Sequence, residues 1–239
     1  MNVANSLKVL GLITARGGSK GVPRKNVRLM NGKPLVAYTV EASLSSLTIH
    51  RTILSTDDNE IADIGREFGA EVPFMRPAEL ALDTTPTLPV VEHALMMLSE
   101  LGDEYDAVCL LQPTNPLRRP ADVDACVNLL GGSDADSVIS VLPVPHEYNP
   151  RWVFLRGPDG ELSLSTGEKE PIARRQELPP AVHRDGTVYV TRTKTILGEK
   201  SLYGNRIHGY EIDPLHSANI DTEDDWLAAE KRIRGLIQQ

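Results

Sequence analysis

The sequence predicts an α/β fold with an open, doubly wound, mostly parallel sheet. Two observations carry this expectation. Over the first 145 residues, apolar runs alternate with helical patterns, the order that a parallel sheet with crossover helices requires. The runs are near-continuous rather than alternating polar and apolar, which suits strands covered on both faces.

Taken in order, the first run is 9–15, and a helix over 34–46 has Pro34 near its first turn. The second run, 51–56, leads into a helix over 58–68. Ile61, Ile64 and Phe68 share one face there, Gly69 follows as a C-cap, and Asp57 or Asp58 is the expected N-cap. A helix over 87–101 places Val91, Leu95 and Leu98 on one face and stops at Gly102. The run 107–112 precedes a helix over 121–130 that ends at Gly131 and Gly132, and 137–144 is the fourth strand. From Pro143 to Pro180 seven prolines break the pattern, and only 151–155 and 161–165 read as short antiparallel strands. That stretch is long for a loop in a compact domain, so it is expected to protrude or meet a partner. Strands return at 186–192 and 207–213. A last helix over 222–237 sets Trp226, Ala229, Ile233 and Leu236 on one face, with Thr222 and Asp225 as a capping pair. The chain therefore reads as a single domain, 1–239, with 143–186 as a protruding segment.

The formal net charge of -8 argues against nucleic-acid or anionic-membrane partners. The basic residues near the N-terminus are thus a local feature, suited to a small anionic ligand. The apolar runs fall short of the roughly 18 residues that span a bilayer, and no leader pattern is visible. The expected location is the cytoplasm, without a membrane anchor. Cys109 and Cys126, the two cysteines, read as small core residues.

The stretch "TARGGSKGVPRKN", 14–26, leaves the first strand with four cations and three glycines. Gly17, Gly18 and Gly21 permit positive φ, which would let consecutive N–H groups converge on one anion. Arg16 offers a planar fork to phosphate oxygens, and Lys20 and Lys25 offer point charges. The stretch is not a P-loop, because its lysine precedes the last glycine and Pro23 stands where a helix would begin. A glycine-rich turn with solvated cations is the plainer alternative. Arg76, followed by Asp83, Thr84 and Thr85, gathers polar groups again. "LLQPTNPLRRP", 110–120, presents Gln112, Thr114, Asn115 and Arg118 on a loop stiffened by Pro113 and Pro116. Arg174, Arg175 and Gln176 stand before two prolines. In "HSANIDTEDDW", an extended Asn219-Ile220-Asp221 would point two oxygen ligands one way, a pair able to hold Mg²⁺ beside a triphosphate. Helix capping by Asp221 or Thr222 is the alternative there. No zinc spacing, HExxH or G-x-S-x-G occurs.

Together these blocks resemble the acylneuraminate cytidylyltransferases, the CMP-sialic acid synthetase family. "ITARGGSKGVPRKNVRLMNGKPLVAYTVEA" resembles that family's N-terminal signature. "STDDNEIADIGREFGAEVPFMRP", "LLQPTNPLR", "RRQELP", "DGTVYV" and "NIDTEDD" resemble its further blocks, in order and over nearly the whole chain. The resemblance implies a Rossmann-like nucleotidyltransferase fold, a homodimer, and a protruding segment that reaches the partner's site. It implies transfer of CMP from CTP to the anomeric hydroxyl of a nine-carbon 2-keto sugar acid, with Mg²⁺ required. By the same resemblance Arg16, Lys25 and Arg76 carry catalysis, with Arg76 toward the leaving pyrophosphate. Ala15, Gly17, Gly18, Ser19, Asn26, Asp83 and Thr84 join Arg16 and Lys25 around the nucleotide. Gln112, Thr114, Asn115, Arg175, Gln176 and Tyr189 surround the sugar acid, and Asp221 with Asn219 holds the metal. Two positions depart from the family pattern: Asn219 stands where an aspartate is frequent, and Asn115 where a serine is common. The second departure leaves sialic, legionaminic, pseudaminic and Kdn-type acids all open as acceptors. A relative using GTP or another acceptor, and a non-catalytic nucleotide-binding module, are the alternatives at this level.

Overall fold

In the computed structural model, which describes residues 7–237, nine of the expected elements fall within two residues of their sequence ranges. They are β1 (Val9–Thr14), α1 (Leu35–Leu44), β4 (Arg51–Ser55), α2 (Asn59–Glu67), α3 (Thr87–Glu100), β5 (Ala107–Leu111), α4 (Pro120–Gly131), β6 (Ser137–Pro143) and α6 (Glu223–Ile237). Asp58, not Asp57, caps α2 by accepting from the Ile61 N–H at 3.1 Å. Gly69 and Gly102 close α2 and α3 at φ +97° and +85°, the left-handed region where glycine costs least.

Three elements escape the sequence reading. β2 (Leu29–Met30) and β3 (Lys33–Pro34) form a two-residue hairpin, too short for any periodicity. α5 (Thr193–Glu199) is seven residues long and has no side-chain cap to announce it. β9 (Val182–Arg192) begins four residues before the expected run. Past a register shift between Ile139 and Val141, its Val182, His183 and Arg184 still pair with the end of β6.

The central sheet has the order β10–β6–β9–β5–β1–β4, with β10 spanning Ile207–Glu211. β1 pairs parallel with β4 and β5, and β6 with β10. β9 runs antiparallel between β5 and β6, so the sheet is mostly parallel with one reversed central strand. Alternation along β1 divides the core. Val9 and Ile13 join Val36, Val40, Ile61, Val123 and Val127 on the face of α1, α2 and α4. Leu10 and Leu12 join Val91, Leu95, Leu98 and Ile196 on the face of α3 and α5.

A third cluster docks α6 on the N-terminal loop: Trp226, Ala229 and Ile233 meet Val22, Met30, Leu35 and Leu117. Leu236, expected on the same face, is exposed, because that cluster ends one turn earlier. Asp225 accepts from the Thr222 N–H and hydroxyl, so the capping pair forms.

Between β6 and β9 the chain carries the hairpin of β7 (Phe154–Arg156) and β8 (Leu162–Leu164). Its base is tied by Trp152 Nε1 donating to the Ile172 carbonyl and Asn149 Nδ2 to the Pro179 carbonyl. Phe154, Leu155 and Leu162 stay exposed. Among the described residues no helix is long and apolar enough to cross a membrane.

The strand directions decide where chemistry can gather. β1, β4 and β5 all release their loops at one edge of the sheet, and the reversed β9 enters the sheet at that edge. Open α/β sheets bind ligands there.

Candidate active site

The loop after β1 is held by close backbone approach rather than by left-handed glycines. None of Gly17, Gly18 and Gly21 has φ in the left-handed region; the residue of this loop that does is Arg24, at φ 53°. The expected positive-φ nest is therefore absent. Two of the glycines are needed for space. A Cβ on Gly17 would lie 2.6 Å from Asp58 Oδ2, and one on Gly21 only 1.8 Å from the Asp221 carbonyl oxygen. The N-terminal loop thus packs directly on the loop before α6. Gly17 also donates its N–H to Asp57 Oδ1 at 3.1 Å, so that N–H is already committed, contrary to its expected role toward an anion.

Beside this loop opens a cavity of about 310 Å³. Arg16, Gly18, Ser19, Lys25, Asn26 and Arg76 form one part of its wall. Asp83, Thr85 and Thr87 come from the stretch before and into α3, and Gln112 and Thr114 from the exit of β5.

Its cations all lean on protein carboxylates. Arg16 Nη2 lies 2.7 Å from Asp83 Oδ1, and Lys20 Nζ 2.7 Å from Asp83 Oδ2, so Asp83 spans the mouth and both cations hold its carboxyl below the ordinary range. Lys25 Nζ donates to the Ile220 carbonyl at 2.5 Å and lies 3.6 Å from Asp221 Oδ1. Burial pushes its pKa down, and Asp221 only partly opposes this.

Arg76 is the most deeply placed cation of the wall. Its Nη2 lies 3.5 Å from Asp57 Oδ1 and its buried Nε has no partner. Burial pulls its pKa down. A guanidinium this buried and this poorly matched is stabilised by any anion that enters beside it. Asp57 is the shared anchor, joining the Gly17 N–H to Arg76.

Other expected site residues are placed differently. Asn26 lines the cavity, but its amide donates to the Arg16 carbonyl at 2.9 Å and so also braces the loop. Ala15 is buried, with its N–H bonded to the Ser55 carbonyl. Thr84 is exposed, and Thr85 and Thr87 stand in the wall instead.

Asn115 is buried and fully committed. It donates to Thr187 Oγ1 at 2.7 Å and to the His216 carbonyl at 2.9 Å, and accepts from the Leu117 N–H at 2.9 Å. Arg175 and Gln176 lie on a short 3₁₀ turn, Arg175–Glu177, in the protruding segment, and Arg175 lines a separate depression with Asn149 and Glu211. Tyr189 is buried in the α3-side core with its ring edge-on to Tyr203. Within one chain, then, Gln112 and Thr114 share the cavity with the cations, whereas Asn115, Arg175, Gln176 and Tyr189 do not reach its wall.

Asn219 and Asp221 do come together, since Asn219 Nδ2 donates to Asp221 Oδ2 at 2.6 Å. Among the described residues no group of three or more His, Cys, Asp or Glu converges to cage a metal ion.

Arg118 was legible only as one polar group on a stiff loop. It proves fully buried, donating to the Thr187 carbonyl at 2.8 Å, Thr39 Oγ1 at 2.8 Å and the Gln112 carbonyl at 2.6 Å. It clamps α1, β9 and the β5 exit behind Gln112, and burial lowers its pKa to about 10. No signal in "NPLRRP" separates this arginine from its half-exposed neighbour Arg119. Cys109 and Cys126 are buried free thiols, and burial pushes the Cys109 thiol up to about 12.

The cytidylyltransferase family model matches residues 10–219. The chain is 34% identical over 227 residues to the CMP-N,N'-diacetyllegionaminic acid synthase of Legionella pneumophila, covering 94% of this chain and 96% of that protein. It is 30% identical over 228 residues to post-translational flagellin modification protein B of Campylobacter coli, with 95% of each covered. It is 31% identical over 230 residues to N-acylneuraminate cytidylyltransferase A of Danio rerio, covering 95% of this chain and 51% of that protein, so the chain spans about half of that vertebrate relative. Among solved structures, a CMP:2-keto-3-deoxy-manno-octonic acid synthetase complexed with CTP superposes with a TM-score of 0.71 at 19% identity, covering 97% of this chain and 99% of that one. That likeness is one of fold.

Proposed function

The chain belongs to the cytidylyltransferase family, and on that premise we propose that it transfers CMP from CTP to the anomeric hydroxyl of a nine-carbon 2-keto sugar acid, releasing pyrophosphate. One observation carries the reading: Arg16, Lys25 and Arg76 line a single cavity together with Gln112 and Thr114. A triphosphate needs the first set and a polyhydroxylated acceptor the second. The near-full-length similarity to a CMP-legionaminic acid synthase supports a nine-carbon acid as that acceptor.

The anomeric oxygen attacks the α-phosphorus, the bond from that phosphorus to the bridging oxygen breaks, and pyrophosphate leaves with the electron pair. The hydroxyl proton passes to a base or to solvent. Negative charge grows on the α-phosphoryl oxygens and the leaving group, where fixed cations lower the barrier without reorganising. Arg16 and Lys25 sit at the loop that would cradle the phosphates. Arg76, held from behind by Asp57, would meet the pyrophosphate and gain there the anionic partner its Nε lacks.

Mg²⁺ fits this site in one manner only. Asp221 supplies one carboxylate 3.6 Å from the wall residue Lys25, and Asn219, whose amide N–H now bonds to it at 2.6 Å, would add an oxygen only by turning its amide round; such a donor set suits an ion that takes its remaining ligands from phosphates and water. When bound, it would offset charge on the phosphoryl oxygens. Arg175 and Gln176, on the protruding segment, reach a sugar acid only in a homodimer, where the segment of one chain meets the cavity of its partner. A cytoplasmic setting, where nucleotide and sugar acid would both be dissolved, is part of this reading.

Incubation with each of CTP, GTP, ATP and UTP, with Mg²⁺ and a panel of N-acetylneuraminic, legionaminic, pseudaminic and Kdn acids, tests the reading by pyrophosphate release. Release with CTP and at least one of these acids is expected. Release only with another nucleotide, or only with a sugar 1-phosphate, overturns it.

A further inference from the structure

The exit of β5 carries Gln112 and Thr114 into the cavity wall, and it is tied down from behind. Arg118 Nη2 donates to the Gln112 carbonyl at 2.6 Å, and the Ile220 N–H donates to the Thr114 carbonyl at 3.1 Å. Asn115 Nδ2 donates to Thr187 Oγ1 at 2.7 Å and to the His216 carbonyl at 2.9 Å. Two of these ties end on one residue. Thr187, fully buried, holds Asn115 on its hydroxyl and Arg118 Nε on its carbonyl, the latter at 2.8 Å.

The direction of these hydrogen bonds is forced. The Asn115 amide cannot be turned round, because the Leu117 N–H needs its oxygen and the His216 carbonyl needs its N–H. Thr187 Oγ1 therefore accepts from Asn115 and has one proton to give elsewhere. That proton goes to the Asp185 carboxylate, which also takes the Thr187 N–H at 3.2 Å and the Ser140 hydroxyl. These groups meet where β9 shifts register against β6, between Ile139 and Val141, with Gly186 at φ +86°. A bulge of this kind re-aims the side chains beside it. The result is a chain of one polarity, from Asn115 through Thr187 to Asp185, that joins the β5 exit to the neighbouring strand.

We propose that Thr187 is a positioning residue for the sugar-acid side of the cavity: its hydroxyl, oriented by Asp185, holds Asn115 and so fixes the loop that presents Gln112 and Thr114. Thr187 does not itself line the cavity; it acts through the loop. The proposal rests on the reading above that Gln112 and Thr114 meet the acceptor. The phosphate side has its own anchor, Asp57 on Gly17 and Arg76, so loss of the Thr187 hydroxyl strikes one substrate and not the other. Asn115 thereby gains a role other than contact with the acceptor. A serine in its place has a single proton and could not serve Thr187 and the His216 carbonyl together.

The test compares wild type, Thr187→Val and Thr187→Ser by pyrophosphate release with CTP and the best acid of the panel, and by calorimetric titration of CTP. Valine keeps the shape and deletes the hydroxyl, and serine restores it. Thr187→Val is expected to raise the KM for the acid at least about tenfold, within the loss that a displacement of about 1 Å can cause. Its Kd for CTP is expected to stay within about threefold of wild type, as are both constants of Thr187→Ser. A folded Thr187→Val with wild-type KM for the acid overturns the proposal. So does an equal loss in KM and Kd, which would mark general loosening. If Thr187→Val does not fold, Asp185→Asn takes its place, because its amide sets one donor against another whichever way it turns. A folded Asp185→Asn with wild-type KM for the acid then overturns the proposal. Wild type that releases pyrophosphate with none of the acids is instead a failure of the functional reading, and hydrogen exchange then decides the positioning. Faster exchange over 110–118 in Thr187→Val, with 14–26 unchanged, upholds it; unchanged exchange over 110–118 overturns it.

Discussion

Arg16 and Arg118 show how little residue type says about the work a side chain does. Arg16 is about one-third exposed and spans the cavity mouth to Asp83, so its removal touches chemistry and not the core. Arg16→Ala is expected to lower turnover at least about a hundredfold, the loss usual for one donor aimed at developing charge, with an unchanged thermal melt. Normal turnover would move the phosphate site elsewhere. Arg118 is the reverse case. Arg118→Met leaves the buried Thr187 carbonyl and the part-buried Gln112 carbonyl without this donor. The cost is about 3 kcal/mol, or a melting temperature lower by roughly 6–12 °C, measurable by calorimetry. Both arginines were visible as polar loop residues. Which of them faces a ligand depends on which neighbouring strand fills the space behind it, and one chain segment does not contain that information.

At the scale of elements, the helices other than α5 and the parallel strands of the central sheet were legible because their signals are local: apolar spacing, a terminal glycine, a capping aspartate. Asp58 is the clearest case, since it caps α2 and pairs with Arg24 at 2.5 Å. Arg24, followed by burial in opposition and the Ile61 N–H, sets its carboxyl below the ordinary range. A depressed carboxylate pKa means that the unfolded chain binds the proton more readily. Its stabilisation is therefore full above the unfolded value near 4 and is lost as pH falls through the folded value. Asp58→Ala is expected to cost about 1 kcal/mol at pH 7. The gap between its melt and that of wild type should close near pH 2, and a gap that persists there would show that the loss is one of packing. β9 was only half legible. Its valines mark a strand, but nothing in "GTVYVTR" gives its direction, which follows from pairing with β5 on one side and β6 on the other.

For the molecule as a whole, the β7–β8 hairpin leaves Phe154 and Leu162 exposed on one face and Leu155 exposed on the other. The homodimer proposed above would cover the Phe154 and Leu162 side chains. Phe154→Asp combined with Leu162→Asp is expected to give a monomer in light scattering, still binding CTP but with a raised KM for the sugar acid. A double variant that remains dimeric would place the interface on another face.

The sequence by itself determined the layered α/β core and the loop that leaves β1 with its cations, because both rest on local patterns of burial and charge. Only the tertiary structure decided that Gly17 and Gly21 are there for contact rather than for positive φ. It alone also set Asn115 and Arg118 inside the protein, put Arg175 away from Gln112, and left Asp221 bonded to Asn219 and facing Lys25. Apart from the Asn219–Asp221 bond, each of these is a meeting of segments distant in the chain, and the space between two backbones is fixed only when the sheet and α6 have packed.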